Sequence, residues 1–186
     1  IRSYSELERF VEAYEVIQAV QGDDNFPKKL ENDLAAATAD YYMKQKEYDE
    51  AIKFLNIAIS KTFWKKQKAR YQYIVAQLYQ QIGQNEKASE AFSRVVRMNP
   101  DYKMAFNAMI NAAGVFSGSG DTEKLKKELT KMLRDKKNLD FQDQIYFALG
   151  NLYFNEGDRE TAVENYRKSV ANSFSNQHQR ALSSIT

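Results

Sequence analysis

The fold is decided by residues 76–92, which read AQLYQQIGQNEKASEAF. Ala76 and Tyr79 are three positions apart, so they lie on the same face of a helix. Gly83 follows at a point where a residue with free backbone angles readily ends that helix. A second helix then places Ala88 four positions before an aromatic residue, so that both can pack back on the first helix. The stretch therefore predicts a helix–turn–helix hairpin.

The hairpin pattern recurs along the chain with a period of 37 residues. Five sets of positions keep that period through four copies. The sets are Ala51, Ala88, Leu125 and Ala162; Tyr42, Tyr79, Phe116 and Tyr153; Ala39, Ala76, Ala113 and Gly150; Leu55, Phe92, Leu129 and Tyr166; and Lys46, Gly83, Gly120 and Gly157. A lone hairpin cannot bury its apolar face, so we expect the copies to stack and share one core.

The spacing of Ala76, Tyr79, Gly83, Ala88, Phe92 and Pro100 resembles the tetratricopeptide repeat (TPR). The copy at residues 69–102 matches that pattern best, because it also ends in Asn-Pro. The resemblance implies an all-α solenoid of helical hairpins wound into a right-handed superhelix. The third copy has Leu125 where the others have Ala, so we expect its hairpin to pack more loosely.

We expect a single array over residues 1–186, with repeats at 32–68, 69–105, 106–142 and 143–176. Residues 1–31 would supply the second helix of a preceding repeat and a linker, because an apolar stripe runs through residues 3–21. Its members are Leu7, Phe10, Tyr14 and Ile17. We expect residues 177–186 to begin a further repeat. The chain thus has the form of four hairpins between two half-repeats, an excerpt of a longer array whose ends could self-associate.

The composition excludes several kinds of chemistry. There is no Cys, so disulfides, Cys-ligated zinc, iron–sulfur clusters and thiol nucleophiles are impossible. One His, His178, cannot form a multi-His metal site. No apolar stretch approaches the ~20 residues that span a membrane. Because no catalytic constellation is present either, we predict a non-enzyme that needs no cofactor, no metal and no small-molecule substrate.

The charge is uneven although the net charge is only +2. Residues 51–85 contain six basic residues and no acid, and residues 124–137 contain seven basic residues and two acids. The first run surrounds Trp64, and basic residues among aromatics can bind nucleic acid. Both runs lie on or just after predicted second helices, where cations complement the helix dipole. We favour that explanation, and binding of nucleic acid or of an anionic surface is the alternative function.

The TPR resemblance also implies a binding site, because first helices of such arrays line a concave groove that receives peptides. By register, the groove residues would be Arg70, Tyr73, Gln77, Gln80, Asn111, Gln144, Phe147, Asn151 and Phe154. Amide side chains can pair with an extended peptide backbone, and aromatic rings can hold its apolar side chains. Some of these rings could instead pack between repeats. The predicted partner is therefore a protein or a peptide.

A narrower similarity concerns residues 66–73 (KQKARYQY), 98–108 (MNPDYKMAFNA), 131–138 (KMLRDKKN) and 143–149 (DQIYFAL). These stretches are similar to TPR lipoproteins of the Bacteroidota envelope that are associated with gliding motility and type IX secretion. The similarity implies a periplasmic scaffold with many more repeats. It also implies an outer-membrane anchor on a lipidated Cys that precedes the present residues.

Overall fold

The computed structural model describes residues 1–116 and 122–173, and these residues form ten α-helices and no strand. The helices are α1 (Arg2–Glu6), α2 (Phe10–Gln21), α3 (Glu31–Lys44), α4 (Tyr48–Lys61), α5 (Lys65–Gln81), α6 (Asn85–Arg97), α7 (Tyr102–Gly114), α8 (Thr122–Leu133), α9 (Gln142–Asn155) and α10 (Arg159–Asn172). Short 3-10 helices at Lys28–Leu30 and Lys136–Phe141 lead into α3 and α9. The all-α hairpin solenoid predicted from the repeats is confirmed. Gly120, His178 and the segment 177–186 lie outside the described residues.

The helices stack so that each hairpin shares its core with the next. α3 packs on α4, α5 on α6 and α9 on α10, while α4 also packs on α5, α6 on α7 and α8 on α9. One buried cluster joins α3, α4 and α5, and a larger one runs from α5 to α9. None of the helices in the described part is long and apolar enough to cross a bilayer.

Small residues allow the two helices of a hairpin to approach closely. Ala76 on α5 and Ala88 on α6 are both fully buried. At the equivalent position of α9 stands Gly150, where an added Cβ would lie 2.5 Å from the ring of Tyr166. The Tyr166 ring therefore approaches α9 more closely than a methyl group at residue 150 would allow.

The turns inside the hairpins share one backbone geometry wherever the structure describes them. Gly83 and Gly157 have φ values of 74° and 87°. Lys46, which occupies the same repeat position, has a φ of 62°, although a side chain disfavours that region. Glu8 has a φ of 56° and therefore marks one more turn of this kind.

That extra turn corrects the prediction for the first residues. The single helix expected over residues 3–21 is instead α1 and α2, separated by the turn at Glu8. Ile17 is buried as expected, but Leu7 is exposed and does not continue its stripe. The turn was missed because it contains Glu rather than Gly. Residues 1–21 therefore hold a short helix and a longer helix joined by a hairpin turn.

The third hairpin is open, as Leu125 at an Ala position predicts. α7 contacts α8 only sparsely, and α8 packs mainly on α9. A cleft of about 760 Å3 separates α6 from α8, with Met109 and Phe116 among its apolar lining residues. The buried Lys126 Nζ lies 2.9 Å from a Glu123 carboxylate oxygen and also pairs with Glu156. This ion pair between α8 and α9 holds α8 to the following hairpin.

Candidate peptide-binding groove

The first helices α5 and α9 present two matching rows of side chains. The rows have the same three-four-three spacing and are two repeat periods apart. They are Arg70, Tyr73, Gln77 and Gln80 on α5, and Gln144, Phe147, Asn151 and Phe154 on α9. The α5 row is more exposed than the α9 row. Arg70, Gln77, Gln80 and Phe154 are exposed, whereas Tyr73, Gln144, Phe147 and Asn151 are half-buried.

Tyr73 connects the α5 row to the next first helix. Its hydroxyl oxygen accepts a 2.8 Å hydrogen bond from Asn111 Nδ2 on α7. Its ring meets the buried Phe92 edge to face, with 5.3 Å between ring centroids. Burial raises the pKa of the Tyr73 hydroxyl, and this effect exceeds the lowering by the Asn111 hydrogen bond. Tyr73 thus serves the packing between hairpins as well as the surface of the row.

A similar arrangement supports the α9 row. The Tyr166 hydroxyl on α10 donates a 2.9 Å hydrogen bond to Asn151 Oδ1. The ring of Phe147 is tilted against that of Tyr166 at 5.6 Å between centroids. The bond fixes the Asn151 amide plane and directs its carbonyl oxygen into the hairpin. Recognition by Asn151 would therefore use its amide N–H groups.

The third predicted row is arranged differently from the other two. One period after Tyr73 comes Ile110, which is half-buried, and Asn111 is one position further along α7. Asn111 was predicted to contribute an amide to the groove. In the structure this amide points back towards Tyr73 instead. Strict counting of the period identifies Ile110 as the apolar member of the row. The α7 part of the face is therefore more apolar than the amide pattern indicated.

The chemistry of these rows suits binding rather than bond making. Arg70, Gln77 and Gln80 offer a guanidinium and two amides to solvent along one face of α5. Phe154 adds an exposed ring on α9. Over residues 1–116 and 122–173, no group of three or more acidic or His side chains is placed to hold a metal ion.

Sequence reasoning missed a second set of exposed side chains at the α4–α5 link. Phe63 and Trp64 are both exposed there. Trp64 was considered only as a companion of the basic run, and Phe63 was not considered. A strict count of the period would have identified them, because both stand between a second helix and the next first helix, outside every core position.

A family model described as the tetratricopeptide repeat matches residues 69–102 and 143–176. These segments contain α5 with α6 and α9 with α10. They agree with the second and fourth hairpins that the period of 37 residues defines.

One curated relative is the human (Homo sapiens) intraflagellar transport protein 88 homolog, 26% identical over 132 residues. The match covers 70% of this chain and spans only 15% of that protein. A solved putative kinesin light chain of Podosopora anserina, with nearly identical TPR-like repeats, has a TM-score of 0.67 at 18% identity. The alignment covers 95% of this chain and 93% of that one. The Rap conjugation gene regulator of plasmid pLS20, solved with the Phr* peptide, has a TM-score of 0.51 at 13% identity, covering 99% of this chain and 55% of that one. At these identities the two structures establish the fold alone.

Proposed function

We propose that this array of tetratricopeptide repeats is a non-catalytic scaffold that binds a peptide or protein partner along the face of its first helices. Proteins built from these repeats generally mediate protein–protein interaction. The observation that carries the proposal is the α5 row, where Arg70, Gln77 and Gln80 are exposed at helical spacing beside Tyr73. Such a row can recognise an extended backbone through amides and a side chain through the ring.

The size of the expected interactions indicates how much of the face a partner must cover. A hydrogen bond to an amide such as Gln77 contributes about 1 kcal/mol net. Burial of a ring such as Phe154 contributes about 2 kcal/mol. A micromolar complex needs about 8 kcal/mol in total. A partner must therefore engage several of these groups at once, and it would extend from α5 to α9.

The Rap regulator supports this mode of binding, because its structure contains a peptide within a related fold. In this chain the open third hairpin lies between the two rows, with α8 held to α9 rather than to α7. The third hairpin is therefore more loosely packed internally than the hairpins on either side, although α7 itself packs on α6 and α9. A partner that engages both rows would bridge this middle segment.

A pull-down with the protein tests the proposal. The exposed pair Gln77→Ala and Gln80→Ala removes two amides without touching the core, and Phe154→Ala removes the ring at the other end. We expect these variants to lose a partner that the wild type captures, with helix content unchanged. Asn56→Ala, an exposed change on the outward side of α4, is the matched control. Identical sets of captured proteins for all variants would refute binding by the first-helix face.

The finer proposal is that the partner belongs to a secretion or motility assembly of the cell envelope. It rests on the similarity of residues 66–73 and 98–108 to envelope lipoproteins. Deletion of the gene should then block protein export to the surface or gliding, and complementation should restore it. Normal export and normal gliding in the deletion strain would refute this context.

End-to-end association of copies is a further part of the proposal. Ser89 and Lys126 occupy equivalent positions of α6 and α8, and each bonds to the following first helix, at Ala112 and Glu156. The equivalent residue of α10 is Val163, which is exposed. Sedimentation should show a concentration-dependent assembly that Val163→Glu abolishes. A monomer at every concentration would refute it.

A further inference from the structure

The links between hairpins lie along one edge of the array. Helices joined by short links run antiparallel, so the turns inside hairpins lie at one edge and the links between hairpins at the other. We call the second one the connector edge, and it comprises residues 22–30, 61–68, 98–103 and 134–141. Neighbouring links lie close together: Lys61 Nζ lies 2.6 Å from a carboxylate oxygen of Glu31, the first residue of α3, and the Tyr102 hydroxyl bonds to Asn138 Oδ1.

Large apolar side chains are exposed at every link of this edge. Phe63 is 96% exposed and Trp64 is 75% exposed, at the link between α4 and α5. The other exposed apolar residues of the edge are Leu30, Tyr102, Leu139 and Phe141. A run of exposed rings and aliphatic side chains along one edge is unfavourable in water and marks a surface that is covered in use.

The link between α4 and α5, which carries the most exposed apolar side chains of the connector edge, is also rich in basic residues. Lys61, Lys65, Lys66 and Lys68 fall within eight residues that contain no acid. The structure also corrects the dipole explanation for this run. Of the four, Lys61 alone ends a second helix, and the other three lie in the first turn of α5. Cations are disfavoured at that end of a helix, so the dipole does not account for them.

We propose that the connector edge binds the surface of an anionic lipid bilayer. Phe63 and Trp64 would enter the headgroup region, where aromatic rings are enriched in membrane-bound proteins. Lys65 and Lys66 would then lie against anionic headgroups, which also relieves their repulsion by the α5 N-terminus. Leu30 and Leu139 favour lipid over nucleic acid, because aliphatic side chains bury into acyl chains and do not stack on bases.

The orientation that follows leaves the proposed groove accessible. The groove residues lie on a face of the first helices, whereas the connector edge lies at their N-terminal ends. With the edge on a bilayer, first and second helices would stand away from the surface and the hairpins would follow one another along it. The array could hold a partner and contact lipid at the same time. This inference does not rest on the proposed groove.

Trp64 makes the binding directly measurable, because it is the one Trp of the sequence. The 186-residue chain is titrated with vesicles of equimolar phosphatidylcholine and phosphatidylglycerol, and with vesicles of phosphatidylcholine alone. We expect a blue shift of Trp64 emission and quenching by brominated lipid with the anionic vesicles. The shift should weaken as salt is raised, since the lysines act through screened charge. An unshifted emission spectrum would overturn the proposal, and so would equal binding to neutral vesicles.

Two variants on the edge separate the apolar part of the interaction from the charged part. Phe63→Ala with Trp64→Ala should abolish co-sedimentation with anionic vesicles, and both side chains are too exposed to affect folding. Lys65→Glu with Lys66→Glu should weaken binding by at least roughly 25-fold, since each lysine near an anionic surface contributes roughly fivefold. Unchanged binding by either variant would overturn the proposal.

Matched controls lie at the opposite edge and on the groove. Leu7→Ala with Val11→Ala removes exposed apolar groups there, and Lys87→Glu with Arg159→Glu reverses two charges. Both variants should bind vesicles as the wild type does, and so should Gln77→Ala with Gln80→Ala. Equal losses in these controls would overturn the assignment to the connector edge. Quenching of Trp64 by poly(U) RNA without any response to vesicles would assign the edge to nucleic acid instead.

Discussion

Asn111 on α7 donates a 2.8 Å hydrogen bond to the hydroxyl of Tyr73 on α5. This hydrogen bond joins α5 and α7, the first helices of two consecutive hairpins. Because the Tyr73 ring also rests on Phe92 of α6, the pair helps to fix the spacing of α5, α6 and α7. The position of α7 therefore depends on a polar contact at the groove as well as on the core.

Removal of that hydroxyl should weaken the array moderately. Tyr73→Phe keeps the ring on Phe92 and leaves the half-buried Asn111 amide without this acceptor, so we expect a loss of about 1 kcal/mol in unfolding free energy. Urea denaturation of Tyr73→Phe, Asn111→Ala and the double variant measures the coupling. If the two single losses simply add in the double variant, the hydrogen bond contributes nothing to stability.

Gly150 should not tolerate even a methyl group. Gly150→Ala would place a Cβ 2.5 Å from the buried Tyr166 ring, which is itself bonded to Asn151. We expect a loss of about 1–3 kcal/mol from overpacking. Gly114→Ala is the matched control, because a Cβ at that helical position has no atom within 4 Å. Equal thermal stability of the two variants would contradict the close approach of α9 and α10.

The turn positions should respond to substitution according to their φ. Gly157→Ala forces a side chain into the left-handed region and should cost about 1 kcal/mol. Lys46→Gly relieves the strain already present at φ 62°. The gain should be no more than about 0.5 kcal/mol, because glycine also has the larger entropy in the unfolded chain. Urea midpoints of both variants provide the measurement, and an Ala at residue 157 without cost would contradict the shared turn geometry.

The stability of the fourth hairpin should depend on pH through Asp143. Asp143 as a residue is 3% exposed, and burial raises the pKa of its carboxyl group above the ordinary value. The folded chain then holds this proton more tightly than the unfolded chain does. The contribution of Asp143 to stability is therefore most favourable in acid and declines as pH rises from the ordinary Asp pKa through the raised one.

Asp143→Asn should accordingly be more stable than the wild type at neutral pH, and the difference should vanish in acid. Asp158 provides a control of opposite sign, because hydrogen bonds from Thr161 lower its pKa. Its contribution is present above the ordinary pKa and is lost as pH falls through the lowered one, so Asp158→Asn should remove stability at neutral pH only. Thermal melts across pH test both variants. A neutral-pH loss for Asp143→Asn would contradict the burial of the carboxyl group.

The period of 37 residues predicted the hairpins because small and aromatic residues at fixed positions are a strong local signal. The turn at Glu8 was missed because its left-handed backbone is imposed by the packing of α1 and α2 and not by a Gly. Asn111 was assigned by its amide chemistry, whereas strict register selects Ile110. The basic run near Trp64 was ascribed to helix C-termini, because the start of α5 at Lys65 could not be placed from the sequence.

The sequence predicted which residues form the two rows on α5 and α9, but not which side chains each of them contacts. Arg70, Gln77 and Gln80 are exposed as a helical wheel indicates. How much of the Tyr73 and Phe147 rings is exposed and how much is packed depends on the ring that lies opposite each of them. Phe92 and Tyr166 determine that in three dimensions.

Site-specific photo-crosslinking tests the central claim most directly. A photoreactive amino acid is placed at Gln77, on the exposed first-helix face, and separately at Asn56, on the outward side of α4. In cells that express the protein, we predict a crosslinked partner from residue 77 and none from residue 56. A partner that crosslinks from residue 56 and not from residue 77 would contradict binding along the first helices.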